Sequence, residues 1–224
     1  MKNIFIVPGY GIPKDILKDE PYRRYLGLVF NCVYQICLDK KENKPVIIFC
    51  GGKTDVFKPY KRTEAAEMKK LFFWFAQRDF VKKYTKGWQY KLENSSLSTL
   101  ENILFANKII EKIKVDKNIF IFVEKTRENK IKVLTEKIVK NKTQIISLDF
   151  DLSINRYREI EFLIKRESYD LGLSLKILAD EKLYKIFRKI LLERIEYLRK
   201  AGSKKHREAV HVWWQEKIRE LKNN

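Results

Sequence analysis

Val46-Ile47-Ile48-Phe49-Cys50-Gly51-Gly52-Lys53-Thr54 decides the fold, because a short apolar run ends there in a polar, glycine-rich turn. Such a run predicts a buried strand of a parallel sheet. In open α/β sheets, ligands bind beside the loops that follow the strands. The segment from Glu93 to Asn102 repeats this arrangement between a strand-like and a helix-like run. Both segments are therefore predicted to be loops of a binding site.

Strand-like and helix-like runs alternate through the first two thirds of the chain. Predicted strands lie at residues 4–7, 46–50, 88–92, 118–123 and 144–148. Helices are predicted near residues 21–39, 63–77, 98–114 and 127–140. The alternation predicts an α/β domain over residues 1–150, in which helices cover both faces of a mainly parallel five-stranded sheet.

The pattern changes after Asp149, where helical stretches are predicted near residues 155–168, 180–200 and 204–222. Residues 151–224 are therefore predicted to form a helical extension. Its apolar stripes include tryptophans and leucines, which favours packing against the first domain over exposure to solvent. The alternative is an interaction scaffold, in which these helices bind a protein partner.

Composition excludes several classes of protein. An apolar content of 45% with 34% charged residues is typical of a globular chain. The longest charge-free stretch, residues 25–38, is too short to cross a bilayer. Cys32, Cys37 and Cys50 have no CxxC spacing, and the first strand begins too early for a signal peptide. We expect reduced thiols and a cytoplasmic protein.

The formal net charge of +19 would attract phosphate groups on nucleic acid, nucleotides or lipids. The charge is spread along the whole chain, and a compositional bias rich in lysine, isoleucine and asparagine explains it equally well. A basic nucleic-acid-binding module remains the alternative function. It is less favoured, because the aromatic residues mostly follow the apolar periodicity of the helices instead of interleaving with a basic stripe.

Two glycine-rich loops supply candidate ligand-binding residues. Glycines after the first and second strands allow a ligand to approach the backbone, although an ordinary tight turn explains the first pair equally well. The candidates from these loops are Gly9, Gly11, Gly51, Gly52, Lys53, Thr54 and Arg62. The spacing around Gly51 is not that of a P-loop, which excludes nucleotide hydrolysis by that route.

The third loop crowds hydroxyl groups at the start of a helix, where unpaired N–H groups favour anions. Ser98 and Glu101 fit a capping box, which leaves the neighbouring polar residues unexplained. The additional candidates for ligand binding are Ser96, Ser98, Thr99, Asn102 and Arg127. Glu64 and Glu93 are the candidates for acid/base chemistry. The carboxylates follow no metal-binding motif, so we assign no metal site and name no cofactor.

A resemblance to a known family rests on motifs in four places along residues 3–150. These are Pro8-Gly9-Tyr10-Gly11, Gly51-Gly52, Thr63-Glu64-Ala65-Ala66-Glu67-Met68, and Glu93 followed by Ser96-x-Ser98-Thr99-x-Glu101-Asn102. Their order and spacing resemble the YdcF-like and SanA-like family, a domain of unknown function. The resemblance implies a three-layer α/β/α Rossmann-like domain, whose loops form one polar pocket at the carboxyl edge of the sheet.

The same resemblance implies a small ligand, since one member of the family has been associated with S-adenosylmethionine. The chain departs from the family pattern after the fourth strand, where a histidine is absent and Arg127 or Lys130 would supply the cation. We also expect no membrane anchor before the domain, although SanA-like members tend to carry one.

We therefore expect a protein that binds a phosphorylated, nucleotide-like or S-adenosylmethionine-like ligand. Any reaction would be hydrolysis or group transfer. The double-glycine turn and the start of the helix after Glu93 should converge in one electropositive hollow.

Overall fold

A computed structural model describes residues 1–41, 44–149, 160–202, 209 and 212–213. Its strands are β1 (Lys2–Pro8), β2 (Val46–Cys50), β3 (Gln89–Glu93), β4 (Lys117–Glu124) and β5 (Thr143–Leu148). They form one sheet in the order β3-β2-β1-β4-β5, and every neighbouring pair is parallel. The predicted α/β class and the five predicted strands are confirmed.

The helices are α1 (Glu20–Asp39), α2 (Glu64–Ala76), α3 (Asp79–Thr85), α4 (Thr99–Glu111), α5 (Glu128–Ile138), α6 (Ile160–Ala179) and α7 (Glu181–Ala201). Helix α3 has no counterpart among the sequence predictions. Helix α6 continues beyond the predicted end at Ser168, because its later leucines pack on the core despite the unfavourable Gly172. The sequence therefore placed the end of this helix too early.

Two apolar layers cover the sheet, as alternation along its strands requires. Phe5, Val7, Ile47 and Phe49 point towards α1 and α2. Ile4, Ile6, Val46 and Ile48 point towards α4 and α5. The structure is thus a three-layer α/β/α Rossmann-like fold, in which α2 and α4 begin on opposite sides of the same sheet edge.

Side chains at the helix starts fix where these loops end. Thr63 caps α2 by accepting a hydrogen bond from the Ala66 N–H, at 3.2 Å. Ser98 caps α4 by accepting from the Glu101 N–H, at 3.3 Å, while the Glu101 carboxylate accepts from the Leu97 N–H, at 2.7 Å. The Ser98 half of the predicted capping box is therefore present, whereas Glu101 accepts from the residue before the cap instead of from Ser98.

The helical extension packs across the carboxyl edge of the sheet. Arg188 of α7 pairs with the buried Glu101 of α4. Arg199 donates to the backbone carbonyl of Asp55 at 3.0 Å, in the loop between β2 and α2. Ala209 and Trp213 are buried, but most of the helix predicted at residues 204–222 lies outside the described residues, as does the predicted domain boundary near residue 150. No described helix is long and apolar enough to span a bilayer.

Candidate functional site

A cavity of about 340 Å³ lies over the carboxyl edge of the sheet. The strand order reverses between β1 and β4, and the loops that follow these two strands both line the cavity. Such switch points are where open α/β sheets bind ligands. The remaining walls come from the loops after β2 and β3, from the starts of α1, α2, α4 and α5, and from helices α6 and α7. The predicted convergence of the glycine loop and the α4 start is confirmed, since Gly51 and Ser98 line one cavity.

Glu64, the first residue of α2, occupies the space that the glycine loops leave open. A β-carbon at Gly9 or at Gly51 would collide with the Glu64 side chain. These two glycines therefore allow close approach of a side chain of the protein itself, where the sequence predicted approach of a ligand. Gly11 differs from them, because a β-carbon there would meet nothing within 4 Å, and its positive φ of 98° favours glycine.

The Glu64 carboxyl is 8% exposed and forms part of the cavity lining. Its Oε1 accepts from the Thr54 hydroxyl at 2.5 Å, and the carboxylate also accepts from the Gly11 N–H. Burial raises the pKa of this carboxyl above its ordinary value, although both hydrogen bonds and the nearby arginines oppose the shift. A buried carboxyl with a raised pKa holds its proton more strongly than an exposed glutamate does.

Glu93 has a structural role and does not line the cavity. Its carboxylate accepts from the backbone N–H groups of Ser95 and Ser96, at 2.7 and 3.0 Å, and from the Ser96 hydroxyl. These bonds hold the loop that leads into α4. The prediction that Glu93 performs acid/base chemistry is not supported, because its oxygens are already engaged away from the cavity.

The start of α4 presents backbone donors to the cavity. The N–H groups of Thr99 and Leu100 belong to the first turn and have no acceptor within the helix. Both residues line the cavity, as does Asn102 one turn further on. Asn102 is 7% exposed, and its side-chain amide forms no hydrogen bond within the described residues. The helix start and this amide provide donors for an anion.

Arg127 lines the cavity, but its guanidinium already contacts other side chains of the protein. Its guanidinium lies 3.4 Å from Glu167 and stacks over the Tyr10 ring, with 4.7 Å to the ring centroid. Glu167 also pairs with Lys130, which has Asp170 at 3.7 Å as a second partner. Arg166 lines the same wall, and its buried Nε has no hydrogen-bond partner in the described part of the chain.

The expectation of an electropositive hollow is wrong. The charged lining residues are Asp19, Glu64, Glu124, Arg127, Lys130, Arg166, Glu167, Asp170 and Arg194. Carboxylates and cations are almost equal in number there, and Glu167 and Asp170 of α6 pair with Arg127 and Lys130. Any attraction for an anion must therefore come from local donors instead of net charge.

Four predicted site residues lie outside the cavity: Gly52, Lys53, Arg62 and Glu93. Arg62 was expected to hold an anion, but its guanidinium contacts Asp55 at 2.9 and 3.0 Å. Lys53 has an exposed side chain, and Gly52 packs against the backbone of Ser96. The residues that do line the cavity are Gly9, Gly11, Gly51, Thr54, Glu64, Ser96, Ser98, Thr99, Asn102 and Arg127.

Sequence reasoning missed a set of tyrosines that fixes the loop after β1. The Tyr22 hydroxyl accepts from the Tyr10 N–H at 2.8 Å and donates to the Gly11 carbonyl. The Tyr10 hydroxyl in turn accepts from the Glu124 N–H, at 2.9 Å. Burial raises the pKa of Tyr10 to about 12. A tyrosine directly after the first strand was the only signal in the sequence, and it predicts packing as readily as a site.

Fold and cavity define a Rossmann-like protein with a cavity of mixed polar and apolar lining at the switch point of its sheet. No family model, curated protein or solved structure matches the chain. Within the described residues, no group of three or more His, Cys, Asp or Glu side chains could hold a metal ion.

Proposed function

We propose that the chain is a YdcF-like protein that binds a small anionic ligand over the carboxyl edge of its sheet. The ligand class is phosphorylated, nucleotide-like or S-adenosylmethionine-like. The acidic group would lie at the start of α4, and the rest of the ligand would extend across the switch point towards Glu64. The cavity of about 340 Å³ has room for a molecule of this size.

The single observation that carries this proposal is the unsatisfied Asn102 amide beside the first turn of α4. The amide faces the cavity and forms no hydrogen bond within the described residues, so it is available to hydrogen-bond to a ligand there. The Thr99 and Leu100 N–H groups point from the same helix end, where the helix dipole attracts negative charge. An anion in this corner of the cavity would satisfy both groups.

If a reaction takes place, Glu64 is the residue placed to act as acid or base. Glu64 lines the cavity at the switch point, forms no ion pair among the described residues, and has a pKa raised by burial. Glu124 also lines the cavity without an ion pair there, but both of its carboxylate oxygens already accept from Thr126. Hydrolysis or group transfer would use such a group to take a proton from an attacking hydroxyl or water. Glu93 would only position the loop that carries Ser96 and α4.

The test is a thermal-shift and calorimetry screen with inorganic phosphate, nucleoside monophosphates, sugar phosphates and S-adenosylmethionine. We expect at least one compound to raise the Tm, and Asn102→Ala to weaken its binding about tenfold. The matched control is Asn107→Ala on the same helix, whose amide contacts Glu111 outside the cavity. Absence of binding by every compound at millimolar concentration would refute the proposal.

Binding of single-stranded nucleic acid is a second candidate function. It is favoured by an aromatic-basic face, which consists of Arg23 on α1, Trp74 on α2, Arg78 just before α3 and Phe80 on α3. Trp74 and Phe80 are 48% and 69% exposed. The guanidinium of Arg23 lies 5.7 Å from the Trp74 ring, and that of Arg78 lies 5.2 Å from the Phe80 ring. Exposed rings beside cations provide stacking surfaces for bases and contacts for phosphates.

Fluorescence anisotropy with a labelled oligothymidylate tests this candidate. The double variant Trp74→Ala with Phe80→Ala should weaken binding at least tenfold, and affinity should fall steeply as salt rises. Asn102→Ala should leave this binding unchanged. Binding that depends on salt but not on the two rings, or binding only to anionic lipid vesicles, would rule the candidate out.

A further inference from the structure

Glu64 is placed to accept hydrogen bonds from the proposed ligand, in addition to the contacts at the start of α4. This role rests on the proposed function. Its carboxylate sits at the start of α2, above the loops after β1 and β2. The donors at the start of α4 lie on the other side of the sheet, because α2 and α4 belong to opposite layers. The cavity thus joins a hydrogen-bond acceptor on one side to an anion site on the other.

The Glu64 carboxylate has acceptor capacity left over. A carboxylate offers about four acceptor positions, of which the Thr54 hydroxyl and the Gly11 N–H fill two. Glu64 makes no ion pair within the described ranges of the chain. Since Glu64 also lines the cavity, its remaining positions are open to donors from a ligand.

A hydroxyl group of the ligand suits the Glu64 carboxylate better as a hydrogen-bond donor than an ammonium group does. Arg127 and Arg194 line the same cavity, and both act electrostatically on the Glu64 carboxyl. An ammonium group would add a charge to a cavity whose carboxylates and cations already nearly balance, whereas a neutral hydroxyl donates to Glu64 without adding one. Hydrogen bonds from hydroxyls to a buried carboxylate are also among the stronger ones.

From this arrangement we infer that the ligand is a hydroxylated phosphate ester, such as a sugar phosphate or a nucleotide, with its phosphate at the start of α4 and its hydroxyls on Glu64. A phosphate alone would satisfy only the α4 side of the cavity. A polyol without phosphate would satisfy only Glu64. The site therefore selects a molecule that carries both groups.

Calorimetry with three probes tests the inference: ribose 5-phosphate, ethyl phosphate and inorganic phosphate. Wild-type protein should bind ribose 5-phosphate at least tenfold more tightly than ethyl phosphate. Glu64→Gln should bring the two Kd values within about threefold of each other, and Asn102→Ala should weaken both probes. The preference should also grow as pH rises, because the ionised Glu64 is the better acceptor.

Equal wild-type affinities for ribose 5-phosphate and ethyl phosphate would overturn the inference while leaving the proposed function intact. A preference that survives Glu64→Gln in a folded variant would overturn it as well. Failure of all three probes to bind would count against the proposed function and the inference together. If Glu64→Gln does not fold, the wild-type Kd values for ribose 5-phosphate and ethyl phosphate still test the inference.

Discussion

At the scale of single residues, the protonation of Glu64 in the cavity affects the free energy of unfolding. Burial raises the pKa of its carboxyl in the folded protein, so the folded state holds the proton more strongly than the unfolded state. Stability therefore falls as pH rises from the ordinary glutamate range through the raised folded pKa. Above that window the folded protein carries an ionised, desolvated carboxylate, a cost that a ligand-binding residue commonly imposes.

Glu64→Gln should accordingly raise the free energy of unfolding at pH 8 and change it less at pH 4, where the carboxyl is largely protonated in both states. Urea denaturation of the ligand-free protein at the two pH values measures this difference. A variant that is less stable than wild type at pH 8 would show that the carboxylate is stabilising there.

Gly52 must be small because the backbone of Ser96 packs closely against it. A β-carbon there would lie 2.5 Å from the Ser96 carbonyl oxygen, which is backbone and cannot move cheaply. Gly52→Ala should cost about 1–3 kcal/mol of stability. The free energy of unfolding from denaturant titration measures the effect.

Gly172→Ala is the matched control for that change. Gly172 lies inside α6, and a β-carbon there would meet nothing within 4 Å in the described part of the chain. The alanine should stabilise the protein by about 0.5–1 kcal/mol, because it favours the helix. Similar effects at both positions would contradict the close contact between Gly52 and Ser96.

At the scale of elements, the attachment of α7 to α4 depends on one buried carboxylate. Glu101 is fully buried and accepts from Arg188, from the Tyr184 hydroxyl at 2.8 Å and from the Leu97 N–H. Arg188→Ala removes the counter-charge and leaves Glu101 buried beside neutral donors only. We expect a loss of about 3 kcal/mol, measured by thermal or urea unfolding.

Lys185→Ala on the same helix provides the comparison. Lys185 pairs with Glu181, and both side chains are exposed, so its loss should change stability by less than about 0.5 kcal/mol. Equal effects at Lys185 and Arg188 would mean that the Glu101 contact does not hold α7 in place.

Elements of the first domain were predictable, because periodicity and caps are local properties of the sequence. Thr63 and Ser98 indicated the starts of α2 and α4, and parallel strands necessarily bring their loops to one edge. The partners of these loops were not predictable. Glu167 and Arg194 reach the site from distant helices, and no local pattern indicates which face of a helix meets which loop.

The same limit explains the wrong expectation for Arg62. In the sequence, an arginine near Gly51 and Gly52 is compatible with anion binding. Its partner Asp55 is fully buried, and this pairing depends on the path of the loop between β2 and α2, which only tertiary structure fixes. Charge counted along the sequence therefore overstated the positive character of the cavity.

At the scale of the whole molecule, a buried ion pair joins the sheet domain to the extension. Lys130 of α5 and Glu167 of α6 are 4% and 5% exposed and contact each other. Glu167→Gln should destabilise the protein by about 3 kcal/mol, because it leaves Lys130 with only the more distant Asp170. Denaturant unfolding followed by circular dichroism and by tryptophan fluorescence should give one coincident transition in the wild type.

Asp149→Asn is the control for the buried pair, since Asp149 and Lys125 form an exposed one. This change should alter stability by less than about 0.5 kcal/mol. Two separate transitions in the wild-type protein would mean that the extension and the sheet domain unfold independently.

The most direct test of the central claim is a crystal structure of the protein with ribose 5-phosphate. We expect density in the cavity at the switch point, with the phosphate within hydrogen-bond distance of the Thr99 and Leu100 N–H groups and the Asn102 amide. A cavity that stays empty at saturating ligand, or a phosphate bound only on the aromatic-basic face, would contradict the claim.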